Sequence, residues 1–452
     1  MDDQSEQHQP AEQSAVPRSE KGVILGWGLR FTLGIVLVAV GAAAFAVAFR
    51  ALLGAFIHLF GGSSDVVSAA KHAPRWLHVA MPAVGGLVAG LLGLATARSR
   101  MGQGVGDVME AVVLGRVRLS MRVTLLKSLA SFSAIATGGS LGREGPLIQF
   151  GGAIGSFVGS KLSLTPQRIR LLIAAGTAAG FAAAYNTPFA AILFVVEVVT
   201  GVVALDAILP SLLATAIAVA LVRLAAGEGP IYGQRAFRMG SMWELLAYAG
   251  LGLVAALVTQ VFMKLLAFGE RCFRTRTVRL PWRPALGAAV TGLVLAFLPE
   301  VAGNGYEPLN TLLDGRFTVS FVALLLLGKV LATTASVSSG SPGGVFTPTL
   351  LLGGAVGFLF GSALSALGLG VGPPGGYALV GMAAAIAATT HAPLMASVMI
   401  FELSGDYAVA LPLMLATALA TLLSRRLRRD SIYTAELKER WELTLEGRRR
   451  VE

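Results

Sequence analysis

A glycine-rich block occurs twice in this chain, once in each half, each time inside hydrophobic sequence. The first copy is GREGPLIQFGGAIGSFVGS, residues 142–160, and the second is GVFTPTLLLGGAVGFLFGS, residues 344–362. They align without a gap at an offset of 202 residues, matching Gly142/Gly344, Pro146/Pro348, Gly151/Gly353, Gly155/Gly357 and Ser160/Ser362. A second pair begins at Gly176 and Gly381, offset by 205, and there Pro188/Pro393 and Glu197/Glu402 coincide. Two similar halves with Gly/Pro-interrupted apolar segments in corresponding positions point to a binding site at a repeat interface in a membrane transporter.

Composition supports the membrane reading. The chain has 452 residues, 55% hydrophobic and 13% charged, with a mean hydropathy of +0.72, well outside soluble composition. Apolar stretches recur at 31–49, 79–97, 207–222, 245–268, 285–298 and 408–423. Several are shorter than about 20 residues or broken by glycine, so some helices cross only in part. Non-helical backbone at that depth is tolerated only where it is buried in protein or lines a wet cavity. The Ala/Leu/Gly-rich runs are longer than strands, so the expected fold is all-α.

The net charge of +11 is no nucleic-acid signature, because Lys and Arg collect in short loops and at the C-terminus. The positive-inside rule puts those loops, and both termini, in the cytoplasm, and the inner membrane of a bacterium is the expected location. Residues 1–21 read as a disordered cytoplasmic tail and 22–424 as one membrane transport domain. The basic loop 271–284 divides it into halves of about 22–270 and 285–424. A cytoplasmic segment, 425–452, follows, with a helix expected over 434–445. Arg425–Arg429 is expected to fix topology and contact anionic lipid. Cys272 is the only cysteine, and the five histidines lack HxxxH or HExxH spacing, so neither a metal nor any other cofactor is expected. No GxSxG, HExxH or acidic metal cluster lies in the apolar segments, so an enzyme is not expected.

In GREGP, a glycine-rich turn leads into an apolar helix. Its unpaired N–H groups and the helix dipole together favour anions. Glu144 sits in that turn, where a carboxylate is costly without a role or partner. It can pair with Arg143 or cap a helix, or it can occupy the anion site that its own backbone creates. The second copy has Phe346 where the first has Glu144, which leaves amides expected to be free for a diffusible anion. A third glycine-rich turn, MGQGVGDV at 101–108, offers Gln103 as a side-chain donor. A cation-coupled solute carrier also uses broken helices, but it needs carboxylates or free carbonyls for its cation, and these turns present amides.

These motifs together resemble the CLC family of chloride channels and chloride/proton exchangers. The likeness rests on GREGP at 142–146, GGVFTP at 343–348, GQGVG at 102–106, YNTPFAAILFVVE ending at Glu197, and Tyr433 in SIYTAEL. It covers roughly residues 25–440. The resemblance implies an inverted repeat of tilted, partly spanning helices with broken-helix anion sites at mid-membrane, assembled as a homodimer. It implies that Glu144 is the gating glutamate, which alternates with the anion and carries a proton. Val345 and Phe346 would give backbone N–H groups to the central anion, Tyr433 its hydroxyl, and Arg143, Gly145 and Gln103 would complete the anion-binding set.

Two departures from the family pattern bear on function. GSGIP has become GQGVG, which replaces the filter serine by Gln103. Proton-coupled relatives usually carry a second glutamate directly after the position of Glu197, and here that residue is Val198. The expected function is therefore transport of chloride or a similar small anion, channel-like or weakly proton-coupled, with a fully coupled antiporter as the alternative. Glu197 and Glu402 read as structural helix-end or intersubunit charges. Lys329 reads either as positive potential on the pathway or as a residue snorkelling to an interface, and His391 as a packed or capping residue.

Overall fold

The computed structural model describes residues 28–438 apart from 64, 97–103, 116–117, 202–204, 228–231, 234, 236, 238, 240, 274–280 and 370. Among the described residues the structure is helical without strands. The first half contains α1 (Leu29–Gly61), α2 (Val66–His72), α3 (Arg75–Thr96), α4 (Val105–Leu114), α5 (Met121–Ala136), α6 (Glu144–Lys161), α7 (Pro166–Tyr185), α8 (Pro188–Phe194) and α9 (Leu205–Ala226). A wider π-helical turn, Val195–Thr200, prolongs α8. The second half runs α10 (Glu244–Phe273), α11 (Trp282–Leu295), α12 (Tyr306–Leu313), α13 (Val319–Ser338), α14 (Phe346–Ala366), α15 (Pro374–Thr390), α16 (Pro393–Ser404) and α17 (Ala410–Leu427). Residues 432–438 form a last helical stretch, two residues ahead of the expected 434, and its continuation lies outside the described residues.

The halves repeat in their packing as well as their sequence. α6 packs on α7 as α14 does on α15; α3 on α5 as α11 on α13; α7 on α9 as α15 on α17; α4 on α6 as α12 on α14. In the same way α10 meets α13, α14, α15 and α17, as α1 meets α5, α6, α7 and α9. Helix α10 therefore opens the second half, and the division falls between α9 and α10 rather than at the basic loop 271–284. A basic loop reports the side of the membrane on which it lies; it carries no information about where a duplication joins.

Local chemistry sets the same punctuation in both halves. Helix α7 ends on Asn186 and α15 on His391, both left-handed, with φ 58° and 60°. Two residues later Pro188 and Pro393 start α8 and α16, where a missing N–H costs nothing. His391 is thus a C-cap, as the capping reading holds, and Arg425 donates to its carbonyl at 3.0 Å. Glycine brings α6 against α7: a Cβ on Gly151 would strike the carbonyl oxygen of Gly176, and one on Gly176 would strike that of Gly151. Gly353 stands in the same relation to the carbonyl of Gly381, and Gly381 to that of Gly353, in the second half. Backbones in direct contact suit helix association in a membrane, where small residues rather than apolar burial drive packing.

Seven helical segments among the described residues are long and apolar enough to cross a membrane, while Pro188–Thr200 and Pro393–Ser404 are shorter apolar helices. Those two short helices meet across the halves. The Glu402 carboxylate accepts from Phe189 N at 3.0 Å and Ala190 N at 2.8 Å at the start of α8. Glu197 accepts from Leu394 N at 3.3 Å and Met395 N at 2.7 Å at the start of α16. Each glutamate caps the helix that its repeat mate's own half supplies, a reciprocity that only a two-fold relation produces. Both are therefore helix-end charges.

Candidate functional site

The same two-fold runs through the duplicated glycine blocks. Gly142 N donates to Gly344 O at 2.7 Å and Gly344 N to Gly142 O at 2.8 Å, so a residue and its own repeat mate form an antiparallel bridge. Directly after this bridge the chain turns into α6 on one side and α14 on the other. Two helix N-termini thus converge, each with unpaired N–H groups and partial positive charge.

The Glu144 side chain fills the junction. Its Oε1 accepts from Phe346 N at 2.9 Å and Thr347 N at 3.2 Å, and its Oε2 accepts from the Thr347 hydroxyl at 3.0 Å. The carboxylate is buried, 2% exposed. It thus reaches across the two-fold to the first turn of α14, so the second-copy amides expected to stand free are taken by Glu144 itself. A Cβ on either Gly142 or Gly344 would collide with this carboxylate, which accounts for glycine at both positions.

A cavity of about 600 Å³ opens on one side of Glu144, lined also by Gly104, Lys127, Gly145, Val345 and Tyr433. Tyr433 is buried and sets its ring edge-on to Phe194 at 6.3 Å. The Phe346 ring packs edge-on to Phe181 at 5.6 Å, which orients the first turn of α14. Of the predicted set, Glu144, Gly145, Val345, Phe346 and Tyr433 are therefore brought together. Arg143, the N-cap of α6, turns instead toward Tyr306, its guanidinium 4.9 Å from the ring centroid. Gln103 lies outside the described residues.

Its neighbour Gly104 belongs to a buried polar network that the sequence reading missed. Gln149 Oε1 accepts from Gly104 N at 3.2 Å, and Gln149 Nε2 donates to Asp107 Oδ2 at 2.9 Å. Lys127 Nζ donates to the same oxygen at 3.0 Å. The ion pair is buried on both sides and hydrogen-bonded to a third partner, as a buried pair requires. Lysine four turns from a glycine block, and aspartate just after a glycine turn, were the available signals. Thr347 and Tyr185 were also missed; Tyr185 OH lies 3.0 Å from Thr347 Oγ1. Lys329, expected on the pathway or at an interface, does neither: it is buried and donates to the carbonyls of Val301 at 3.0 Å and Gly303 at 2.9 Å.

Comparison with known proteins agrees with this architecture. Residues 85–425 match the family described as voltage gated chloride channel. The chain is 39% identical over 392 residues to a putative chloride channel protein ClcB-like of Ralstonia nicotianae, covering 86% of this chain and 91% of the relative. It is 36% identical over 404 residues to the voltage-gated ClC-type chloride channel ClcB of Escherichia coli O81, covering 86% and 95%. Among solved structures, a slow cyanobacterial Cl⁻/H⁺ antiporter superposes with a TM-score of 0.81 at 23% identity, over 91% of this chain and 98% of that one. A CLC-type fluoride/proton antiporter superposes with a TM-score of 0.74 at 23% identity, over 89% and 97%. At such identities the structures speak to fold, whereas the family match and the curated relatives cover most of the chain at sequence level. The chain belongs to the CLC family of voltage-gated chloride channels and related transporters.

Proposed function

We propose that this protein carries chloride, or a similar small inorganic anion, across a bacterial inner membrane, with the Glu144 carboxylate competing with the anion for one set of N–H groups. A single observation carries the reading: a carboxylate accepts from two backbone amides at the N-terminus of α14, at the end of a cavity. Donors that hold a carboxylate oxygen also replace the hydration shell of a halide. The Phe346 and Thr347 amides hold the anion once Glu144 leaves, and Val345, Gly145 and Tyr433 border its path. Protonation removes the charge that keeps Glu144 seated, so acid opens the path. The names of the curated relatives, both chloride channel proteins, accord with the substrate.

We read the transport as channel-like or weakly proton-coupled. Val198 follows Glu197 and has no proton to give, and Glu197 itself is committed to capping α16. Tight antiport is the second reading, and it draws on the two solved structures being those of antiporters. We also infer a homodimer, in which a second copy covers the face where Phe189 and Leu394, 59% and 58% exposed, flank the two-fold. The purified protein in proteoliposomes tests the reading through its reversal potential under combined chloride and pH gradients. A potential set by chloride alone is expected, or one displaced only slightly by pH. A fixed stoichiometric displacement would establish tight antiport, and absence of chloride flux would refute the reading as a whole.

A further inference from the structure

The two halves share a glycine and proline frame near the junction, and three of the positions at which they differ meet at one point. Glu144 stands opposite Phe346, Thr347 opposite Gly145, and Tyr185 opposite Thr390. In the structure, Thr347 Oγ1 lies 3.0 Å from Glu144 Oε2 and 3.0 Å from Tyr185 OH. All three side chains are buried, at 2%, 0% and 1% exposure for Glu144, Thr347 and Tyr185. Their counterparts do nothing similar: the Thr390 hydroxyl turns back to its own helix, onto Ile386 O.

Hydrogen counting fixes the direction of this chain. An ionised carboxylate only accepts, so Thr347 gives its one hydroxyl proton to Glu144. Tyr185 must then donate to Thr347. The Tyr185 hydroxyl, polarising that of Thr347, strengthens a hydrogen bond to a charged acceptor among buried side chains. We propose that Tyr185 and Thr347 form a hydroxyl latch that holds the Glu144 carboxylate on the α14 amides and sets how much acid is needed to release it. The proposal deepens the reading of Glu144 as the gate and rests on it. Thr347 touches the gate; Tyr185 is a positioning residue that acts through Thr347 and pins the C-terminal end of α7 to the start of α14.

Other charged and titratable groups surround the junction. Arg143 lies on the same turn as Glu144 and faces Tyr306 and Arg50. Lys127 and Tyr433 line the cavity beside Glu144. Tyr306 and Tyr232 lie within electrostatic reach of Tyr185. None of the described hydrogen bonds ties these groups to the carboxylate, so their influence is through space and is shared by every latch variant. The latch donates only to the ionised form. Deleting it makes protonation easier, and the gate then opens at higher pH.

Chloride efflux from proteoliposomes, measured from acid to neutral pH, tests this in wild type, Thr347→Ala, Thr347→Ser, Tyr185→Phe, Glu144→Gln and Glu144→Gln/Thr347→Ala. One charge-assisted bond corresponds to a shift of about one to two pH units in the acid midpoint. Thr347→Ala should therefore move the midpoint up by that amount, and Thr347→Ser should restore it. Tyr185→Phe should move it the same way by less, since Thr347 keeps its own proton. In the Glu144→Gln background, loss of Thr347 should leave the pH profile as flat as in the single mutant. A wild-type midpoint in Thr347→Ala, with Glu144→Gln flat, overturns the latch and leaves the gate reading standing. A retained pH profile in Glu144→Gln overturns the gate reading itself. If Thr347→Ala does not fold, the isosteric Thr347→Val carries the same test.

Discussion

Replacing either reciprocal cap by glutamine should weaken the fold while leaving transport untouched. Glu402 holds Phe189 N and Ala190 N, and Glu197 holds Leu394 N and Met395 N. In each, two charge-assisted bonds converge on a helix N-terminus. A bond to a charged group contributes about 1.5–3 kcal/mol and a neutral one about 0.5–1.5 kcal/mol. Glutamine keeps one acceptor oxygen and turns an NH₂ toward the second amide, which exchanges two charged bonds for one neutral bond. That difference is roughly 2–4 kcal/mol for a fully desolvated site. Both carboxylates are only partly buried in the single chain, where screening reduces the loss to about 1–2 kcal/mol. Thermal unfolding in detergent should show a drop of a few degrees at most, roughly equal for Glu197→Gln and Glu402→Gln, because the two sites are related by the two-fold. Chloride flux below the transition, and its dependence on pH, should match wild type in both. Unequal melting losses, or a changed pH profile in Glu197→Gln alone, would refute the structural role and put Glu197 on the proton path.

Four further outcomes follow from the site. Tyr433→Phe should weaken chloride affinity several-fold in calorimetric titration, in line with one neutral hydrogen bond of about 0.5–1.5 kcal/mol, and Tyr433→Ala more; no change in either removes Tyr433 from the site. Gly344→Ala puts a methyl where the Glu144 carboxylate sits. The flexible side chain yields rather than the backbone, so flux at neutral pH should rise, and a wild-type flux would show that the seat is unimportant. Lys127→Met leaves Asp107 a buried carboxylate without its cation and should destabilise by about 3–5 kcal/mol. The Lys127→Met/Asp107→Asn double mutant should recover much of that, and thermal unfolding of the pair of variants checks it. Gln103→Ser should raise chloride flux relative to nitrate, read from permeability ratios measured beside wild type; identical ratios would take the Gln103 side chain out of the filter.

The repeat was legible because its markers are residues that local backbone geometry requires or favours. Where two backbones touch, as at Gly151 and Gly176, only glycine fits, and where a helix starts, as at Pro188 and Pro393, proline is favoured because its missing N–H costs nothing, so the same letters stand in both copies. The join between the halves has no such requirement, and the basic loop 271–284, which does leave a mark, answers to the membrane instead. Glu144 was visible as a carboxylate out of place. That it crosses to Phe346 and Thr347 follows only once two helix N-termini are known to meet head to head. Thr347 and Tyr185 are single hydroxyls in apolar runs, which carry no periodicity.

Differences between the halves nevertheless carry information that the shared letters lack. Glu197 and Glu402 are identical and do identical work, each capping the helix of the other half. Glu144 and Phe346 differ, and they meet where the carboxylate takes its amides. The two buried lysines show a third case. Lys127 and Lys329 are separated by 202 residues, the offset of the glycine blocks, and lie on the equivalent helices α5 and α13. Each has an acid on the preceding short helix: Lys127 pairs with Asp107 on α4, and Lys329 lies within electrostatic reach of Glu307 on α12. Yet Lys127 lines the cavity beside Glu144, whereas the Lys329 ammonium is enclosed by the carbonyls of Val301 and Gly303. The duplication thus supplies the same cation on both sides of the junction, and the carbonyl turn 301–303 removes one of them from the lining. The cavity next to the carboxylate lies on the side of Lys127 and Tyr433. Under the proposed function, an anion arriving from that side reaches α14 without passing Lys329, and it meets Glu144 as the group already holding the amides.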